Sequence, residues 1–240
     1  DLFKADAYVG KQWLGVPHAC VANCMNYRED WLKEAGFSKF PDTYEEFREV
    51  GKKLKSMGHP VGQCFGHSVN DPNSWSYPFV WAYGGYEVEK DGKTAALDKK
   101  GTLEALKLNT AMWKDMFDDD VLSWDDSSNN RAFLAEQVAV TANAASIYWA
   151  EKKNAPQLRD VTDHALFPKG PAGRFGYSTA ISLGVFKFSK SQKESKAFIK
   201  WMLEPKQYSA WMGIGEGMMA VLLNFYEDDP VWKKDPKLEV

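Results

Sequence analysis

The sequence predicts an α/β fold, and three observations carry that reading. Short apolar runs suited to strands alternate along the chain with longer segments whose apolar residues recur at helical spacing. Two Ser/Thr-x-x-Glu capping boxes, Thr43–Glu46 and Ser191–Glu194, mark helix starts. The 44% hydrophobic and 26% charged shares are those of an ordinary globular chain, and 240 residues suffice for one large domain or two modest ones.

Taken in order, Val16 to Tyr27 reads as one extended segment that begins after Gly15 and includes Pro17. A short helix over Asp30–Ala35 ends at Gly36. The next helix starts at the Thr43 box, carries Tyr44, Phe47, Val50 and Leu54 as its buried stripe, and stops at Gly58 before Pro60. Val61–Phe65 is a strand candidate, and Asp71–Gly85 an aromatic-rich loop and helix. Thr102–Phe117 is amphipathic, with Leu103, Leu106, Met112, Trp113 and Met116 on or near one face. A short helix near Asn130 leads into a buried strand, Val138–Ala142, and Ala165–Phe167 and Ser178–Phe186 read as further strands. The Ser191 box opens a helix with Ala197, Phe198, Trp201 and Met202, and Pro205 suits the first turn of another that ends at Gly213. Asp1–Val16 and the charged tail Glu227–Val240 complete no element, so both ends are expected to be cut ends of a longer protein.

A net charge of −3 gives no reason to expect nucleic acid or an anionic membrane as partner. The uncharged run Pro72–Tyr86 is broken by Pro78 and Gly84-Gly85, and no stretch has the apolar length of a membrane span. No basic segment followed by an apolar one opens the chain, so no signal peptide is expected within it. Cys20, Cys24 and Cys64 are too few for a disulfide framework. Cys20 and Cys24 share strand parity, so either could face Cys64 on a neighbouring strand; the commoner state of such residues is a buried thiol. With 10 Trp, 10 Tyr and 14 Phe, the aromatic content exceeds what a core alone calls for and leaves room for a stacking site.

The order of the segments resembles the maltose-binding-like extracellular solute-binding proteins of bacterial ABC importers. The residues that carry the likeness are Trp13-Leu14-Gly15-Val16-Pro17, Asn26-Tyr27-Arg28, Ala35-Gly36 and Pro41-Asp42-Thr43-Tyr44-Glu45-Glu46-Phe47. It continues through Trp81-Ala82-Tyr83-Gly84-Gly85, Phe133–Val140, Pro168-Lys169-Gly170-Pro171 and Lys196–Trp201. Glu136 stands where that family usually has Gly, and Met218-Met219-Ala220 where it has Pro. The resemblance implies a periplasmic-binding-protein-like fold of two α/β lobes joined by hinge strands, lacking here the N-terminal part of the first lobe. On that analogy 1–18 is hinge-proximal, 19–174 is most of the second lobe, 175–222 returns to the first, and 223–240 starts back to the second.

A neutral sugar presents hydroxyls and apolar ring faces, so its binder needs aromatic platforms and planar polar groups. Asn73-Ser74-Trp75-Ser76-Tyr77 offers both within five residues, and it resembles the family's aromatic ligand loop. Trp75 and Tyr77 are candidates there, against the alternative that they are helix core. Asn143 to Trp149 follows a buried strand, and strand ends in α/β sheets face ligand crevices. The family places stacking aromatics in this segment; of the adjacent Tyr148 and Trp149, one is expected to be core. Trp13, His18 and the hydroxyls of Tyr177, Ser178 and Thr179 complete the candidates, and Asp71 is the only charged one, which favours a neutral ligand.

Other chemistries lack their signatures. The acidic run Asp118–Asp126 has neither EF-hand spacing nor its central Gly, and reads as a solvated loop. The four His show no HExxH and no Cys-x-x-Cys partner, so no metal is expected; Gly213-Ile214-Gly215-Glu216-Gly217 is not a dinucleotide fingerprint, and no cofactor is expected either. No Walker motif or Gly-x-Ser-x-Gly elbow is present. The expectation is a monomeric, extracytoplasmic, non-enzymatic capture protein that closes on a sugar or polyol and delivers it to an ABC permease. Two alternatives stand beside it: a binder of a charged solute such as a polyamine or phosphate ester, and a carbohydrate-active enzyme using Asp71 or Asp126.

Overall fold

From Val16 the chain runs extended as far as Arg28, but it changes sheets at Asn23. The computed structural model describes residues 4, 7–216, 218–221, 229–231 and 237. It divides into two units, Asn23–Tyr177 and the combination of Asp1–Ala22 with Ser178–Val240. The single extended segment read from the sequence is therefore two strands, one in each unit. The Asn23 N–H donates to the Tyr177 carbonyl at 2.9 Å, which ties together the two ends of the inserted unit.

The smaller unit opens with a hairpin of β1 (Tyr8–Val9) and β2 (Gln12–Trp13), which turns through Gly10 and Lys11, both at positive φ. β3 (Val16–Ala22) follows and is the middle strand of that unit's sheet.

The inserted unit begins with β4 (Cys24–Arg28) and α1 (Glu29–Glu34). α2 (Tyr44–Ser56) starts where the capping box places it. The Glu46 N–H donates to Thr43 Oγ1 at 3.1 Å, and the Thr43 N–H donates back to the Glu46 carboxylate at 3.1 Å. Its buried face is Tyr44, Phe47, Val50 and Leu54, and Gly58 ends it at a φ of 89°. Val61–Phe65 does not form a strand; only Val61 bridges, to Val140 on one side and Phe117 on the other. Close packing explains why, since a Cβ on Gly62 would lie 2.7 Å from the Val138 side chain and one on Gly66 2.1 Å from the Trp124 carbonyl.

α3 (Asp71–Ala82) and α4 (Lys100–Met116) complete the layer over the sheet. α4 buries Thr102, Ala105, Met112 and Met116, whereas Leu103 and Leu106 are more than half exposed. At 100° per residue Leu106 falls on the flank of the stripe and Leu103 nearly opposite it. α5 (Ser128–Leu134) precedes β5 (Val140–Asn143), and α6 (Ser146–Asn154) and α7 (Pro156–Arg159) follow it. β6 (Thr162–Ala165) lies three residues earlier than expected, because Phe167 turns into the core. The sheet order is β5-β4-β6, all antiparallel. β7 (Lys169–Gly170) and β8 (Gly173–Arg174) form a last hairpin. One core joins the sheet residues Met25, Tyr27, Val140 and Ala142 to the rings of Tyr44, Phe47, Trp75, Phe79 and Phe117.

Glu136 takes a left-handed conformation, φ 58°, where the resembled family has Gly. Its carboxylate accepts from Arg28 at 2.7 Å, and that interaction offsets backbone strain of about 1–2 kcal/mol.

The chain returns to the smaller unit with β9 (Ser178–Leu183), then α8 (Gln192–Met202), α9 (Pro205–Gly215) and β10 (Ala220–Val221). The sheet order is β10-β3-β9. The second capping box does not form: Ser191 has ψ 41° instead of the extended value, and its side chain makes no cap bond. α9 ends at Gly215, two residues later than expected. The expected tail from 223 to 240 lies almost wholly outside the described residues. Among the described residues no helix is long and apolar enough to cross a membrane, and all three cysteines are free thiols.

Candidate functional site

In the inserted unit β4 begins, and β5 and β6 end, at one edge of the sheet. Cys24 pairs with Asn143 there, and Met25 with Ala165. β5 is buried along its whole length and stops at Asn143, whose side chain then acts as a hub. Its Oδ1 accepts from the Ala144 N–H at 2.7 Å and from the Ser146 hydroxyl at 3.4 Å, which shapes the turn into α6. Its Nδ2 donates to the Asp71 carboxylate at 3.2 Å and to Asn130 Oδ1 at 2.6 Å. This hub joins the strand end at Asn143 to Asp71, 72 residues earlier in the chain, beside the two segments that the sequence singled out.

Asp71 opens α3, and its position is fixed by Asp126. One oxygen of Asp126 accepts the backbone N–H groups of Asn70 (3.3 Å) and Asp71 (3.0 Å), and the other accepts the Asn70 amide at 3.1 Å. Asp126 thus supplies the helix cap that Asn70 does not. Behind these groups lies a buried layer of amides. Gln63 Oε1 accepts the Ala142 N–H at 3.0 Å, Gln63 Nε2 donates to the Asp71 carbonyl at 3.2 Å, and Asn129 Nδ2 donates to Thr141 Oγ1 at 3.3 Å. Asn26 Nδ2 donates to the Asn143 carbonyl at 3.2 Å.

Burial pushes the Asp71 carboxyl up to about 6, and the nearby Asp126 charge adds to the rise while a hydrogen bond from the Asn129 side chain opposes it. Burial also works on Asp126, yet hydrogen bonds from the Ser68 side chain and the Asp71 and Asn70 backbone hold that carboxyl below its usual range. Among the described residues neither carboxylate has a Lys, Arg or His partner within salt-bridge distance. The edge is therefore a half-buried carboxylate set among carboxamides, an arrangement that pairs with hydroxyl or amine hydrogens.

The other candidates fall in different places. Trp75 is 1% exposed, its ring is enclosed by Tyr44, Phe47, Phe65, Phe79 and Phe117, and its indole N–H donates to Asn109 at 3.0 Å. It is core, and we correct its assignment as a ligand contact: α3 turns it inward with Phe79, leaving no ring face open. Tyr148 is also buried, edge-on to His164, whereas Trp149 is half-buried beneath the Lys153 ammonium at 3.8 Å. Of that adjacent pair Tyr148 is the core residue. Tyr77 is half-buried and stacks on Trp81, with ring centroids 5.7 Å apart.

Trp13, His18 and Ser178 belong to the smaller unit. Trp13 is exposed and packs edge-on against Tyr8. It lines an open groove of about 890 Å³ with Leu14, Val16, Leu183, Ile199 and Leu203. That groove is mainly apolar, with Lys196, Lys200 and Glu204 also in its lining. His18 is buried against Tyr208 and Trp211, and burial lowers its pKa, so it is a core histidine and its ligand assignment is corrected as well. Ser178 is exposed at the start of β9.

Sequence reasoning missed Gln63, Asn129 and Asn130, and did not nominate Trp81. Gln63 is fully buried in an otherwise apolar run, and a lone amide in such a run is the signal that could have found it. Among the described residues no group of three or more His, Cys, Asp or Glu is placed to hold a metal ion.

A model of the family described as bacterial extracellular solute-binding protein matches residues 1–240. The chain belongs to this family. A relative among solute-binding proteins of known sequence, "Probable ABC transporter-binding protein" of Deinococcus radiodurans, is 20% identical over 235 residues, which are 95% of this chain and 56% of the relative. The fold of this solute-binding protein is similar to that of maltose-bound MalE3 of T. maritima, with TM-score 0.85 and 19% identity over 97% of this chain and 61% of that one. It is also similar to an ABC transporter solute-binding protein of Thermotoga lettingae bound with α-D-tagatose, with TM-score 0.84 and 17% identity over 98% of this chain and 60% of that one. The chain thus spans 56% of the D. radiodurans relative and about 60% of the two solved structures. At these identities the likeness to the solved structures is one of fold: two α/β lobes of a periplasmic binding protein.

Proposed function

We propose that this protein is the substrate-capture component of a bacterial ABC importer, and that it binds a sugar or polyol outside the cytoplasmic membrane and hands it unchanged to the permease. In this reading the unit Asn23–Tyr177 is the second lobe, and Ser178–Gly215 is the chain's return to the first. The observation that carries the reading is the Asn143–Asp71 hydrogen bond, which joins two distant segments into a carboxylate–carboxamide cluster at the end of a buried strand. Such planar groups take hydroxyl hydrogens and return amide donors to hydroxyl oxygens. Family membership and the maltose and tagatose bound by the structural neighbours agree with that chemistry.

One feature favours capture over hydrolysis. A glycosidase needs a second carboxylate free to act as nucleophile or base. Here both Asp126 oxygens accept hydrogen bonds from the start of α3.

A thermal-shift screen of the full-length protein against sugars, polyols, polyamines and amino acids tests the proposal. Ligand at a hundred times its dissociation constant stabilises by about 2.7 kcal/mol, a rise of roughly 5–10 °C for a protein of this size. The expected result is a shift from sugars or polyols that are recovered unchanged. Shifts from charged solutes alone, or conversion of the sugar, contradict it.

A further inference from the structure

The Asp71–Asn143 pair is braced from behind by one buried amide. Val61 bridges Val140, and the Gly62 N–H donates to the Val140 carbonyl at 2.9 Å, so the chain starts to run beside β5. One step further along β5 the partner is a side chain: Gln63 Oε1 accepts the Ala142 N–H at 3.0 Å and the Thr141 hydroxyl at 3.5 Å. The other end of the same amide, Nε2, donates to the Asp71 carbonyl at 3.2 Å. A backbone donor on one side and a backbone acceptor on the other dictate which way the amide lies. Asn129 Nδ2 donates to Thr141 Oγ1 at 3.3 Å, and the Asn129 side chain also bonds the Asp71 carboxylate. A chain of hydrogen bonds thus runs from Asn129 on α5 through Thr141 on β5 and Gln63 to the first turn of α3.

We propose that Gln63 is a positioning residue for sugar capture: its amide locks the first turn of α3 to the end of β5, and so sets the spacing and direction of the Asp71 and Asn143 groups. The inference rests on the sugar-capture reading above. Asp71 and Asn143 sit on different elements, and a sugar that bonds both needs the two elements in one fixed arrangement. A hydrogen bond weakens steeply once its distance or angle drifts, so a small slip of α3 along β5 spoils both contacts together. Gln63 is fully buried and therefore acts through these two residues, without touching the sugar.

The test is a calorimetric titration of the full-length protein and two variants with maltose, laminaribiose, tagatose and ribitol, at about pH 5 and about pH 8. Gln63→Met fills the same space without either bond, and is expected to weaken the tightest of these complexes about tenfold at both pH values. Gln63→Glu separates positioning from packing. Its carboxyl, when protonated, accepts from Ala142 and donates to the Asp71 carbonyl as the amide does; once ionised it has no hydrogen to donate. Burial beside Asp71 and Asp126 raises the pKa of such a carboxyl into this window. Across the window Asp126, held low by its hydrogen bonds, stays ionised, and the Cys64 thiol, raised by burial, stays protonated. Asp71 titrates in wild type too, which is the reference at each pH. Gln63→Glu is therefore expected to bind within about 3-fold of wild type at the lower pH and about tenfold more weakly at the higher one. A lowered melting temperature with wild-type affinity in Gln63→Met makes Gln63 a structural residue and overturns the inference. So does a Gln63→Glu deficit that is the same at both pH values. Either result leaves the sugar-capture reading standing, whereas no binding of any of the four by wild type overturns both.

Discussion

Asp71 sits where an ionised carboxylate is costly, half-buried beside a second carboxylate and answered only by amides. Its pKa rises from 3.8 to about 6 on folding, so the folded state holds the proton more tightly than the unfolded one. The contribution to stability is thus complete below about pH 4 and is lost as the pH rises through about 6. Asp71→Asn is expected to melt higher than wild type at neutral pH and to lack this part of the pH dependence, while its affinity for the captured sugar falls at least tenfold. Melting curves of both proteins at about pH 5 and pH 7.5 check the stability half. Parallel pH profiles would contradict it. A residue that lowers stability while improving recognition is the pattern of a binding site. Trp75 illustrates the opposite role. Trp75→Ala is expected to cost about 3–5 kcal/mol in chemical denaturation, and Trp75→Phe is expected to leave the sugar dissociation constant unchanged.

The two capping boxes are identical in pattern and different in fact. Thr43 is extended at φ −116°, ψ 158° and closes both reciprocal bonds, whereas Ser191 is turned to ψ 41° and closes neither. Thr43→Ala should therefore cost about 1 kcal/mol of unfolding free energy, and Ser191→Ala close to nothing. Equal losses in urea titrations would show that the Ser191 cap forms in solution. The helices were legible because their signals are local: the Thr43 cap, the Gly58 stop and the stripe from Tyr44 to Leu54 lie within one stretch of chain. The strands were less so. Whether Val61–Phe65 pairs, and where β6 begins, depends on Val138, Trp124 and Phe167, which are distant in sequence. The site was legible by halves. Asp71 and Asn143 were each nominated, but that Trp75 turns inward while Tyr77 and Trp81 turn outward depends on which side of α3 meets the core, and no local pattern of this aromatic-rich helix settles that.

The two units are unequally equipped. Asn23–Tyr177 has its own sheet, the helices α1 to α7, a large aromatic and aliphatic core, and a smaller cluster of Ala132, Phe133, Val138 and Ile147. In the smaller unit α8 has no buried residue, and Phe186, Phe188, Phe198 and Trp201 are 71%, 82%, 59% and 49% exposed. A segment spanning 23–177 is accordingly expected to fold alone and to melt in one cooperative transition. A broad, non-cooperative melt of that segment would show that the core needs the rest of the chain.

In the proposed function a sugar is held by the carboxylate–carboxamide cluster where β5 ends and α3 begins. The most direct measurement is a crystal structure of the full-length protein with the tightest-binding sugar of the screen. Sugar oxygens are expected within about 3 Å of the Asp71 carboxylate and of the Asn130 or Asn143 amide. A sugar bound elsewhere, with Asp71 and Asn143 still bonded only to each other and their protein neighbours, would contradict it.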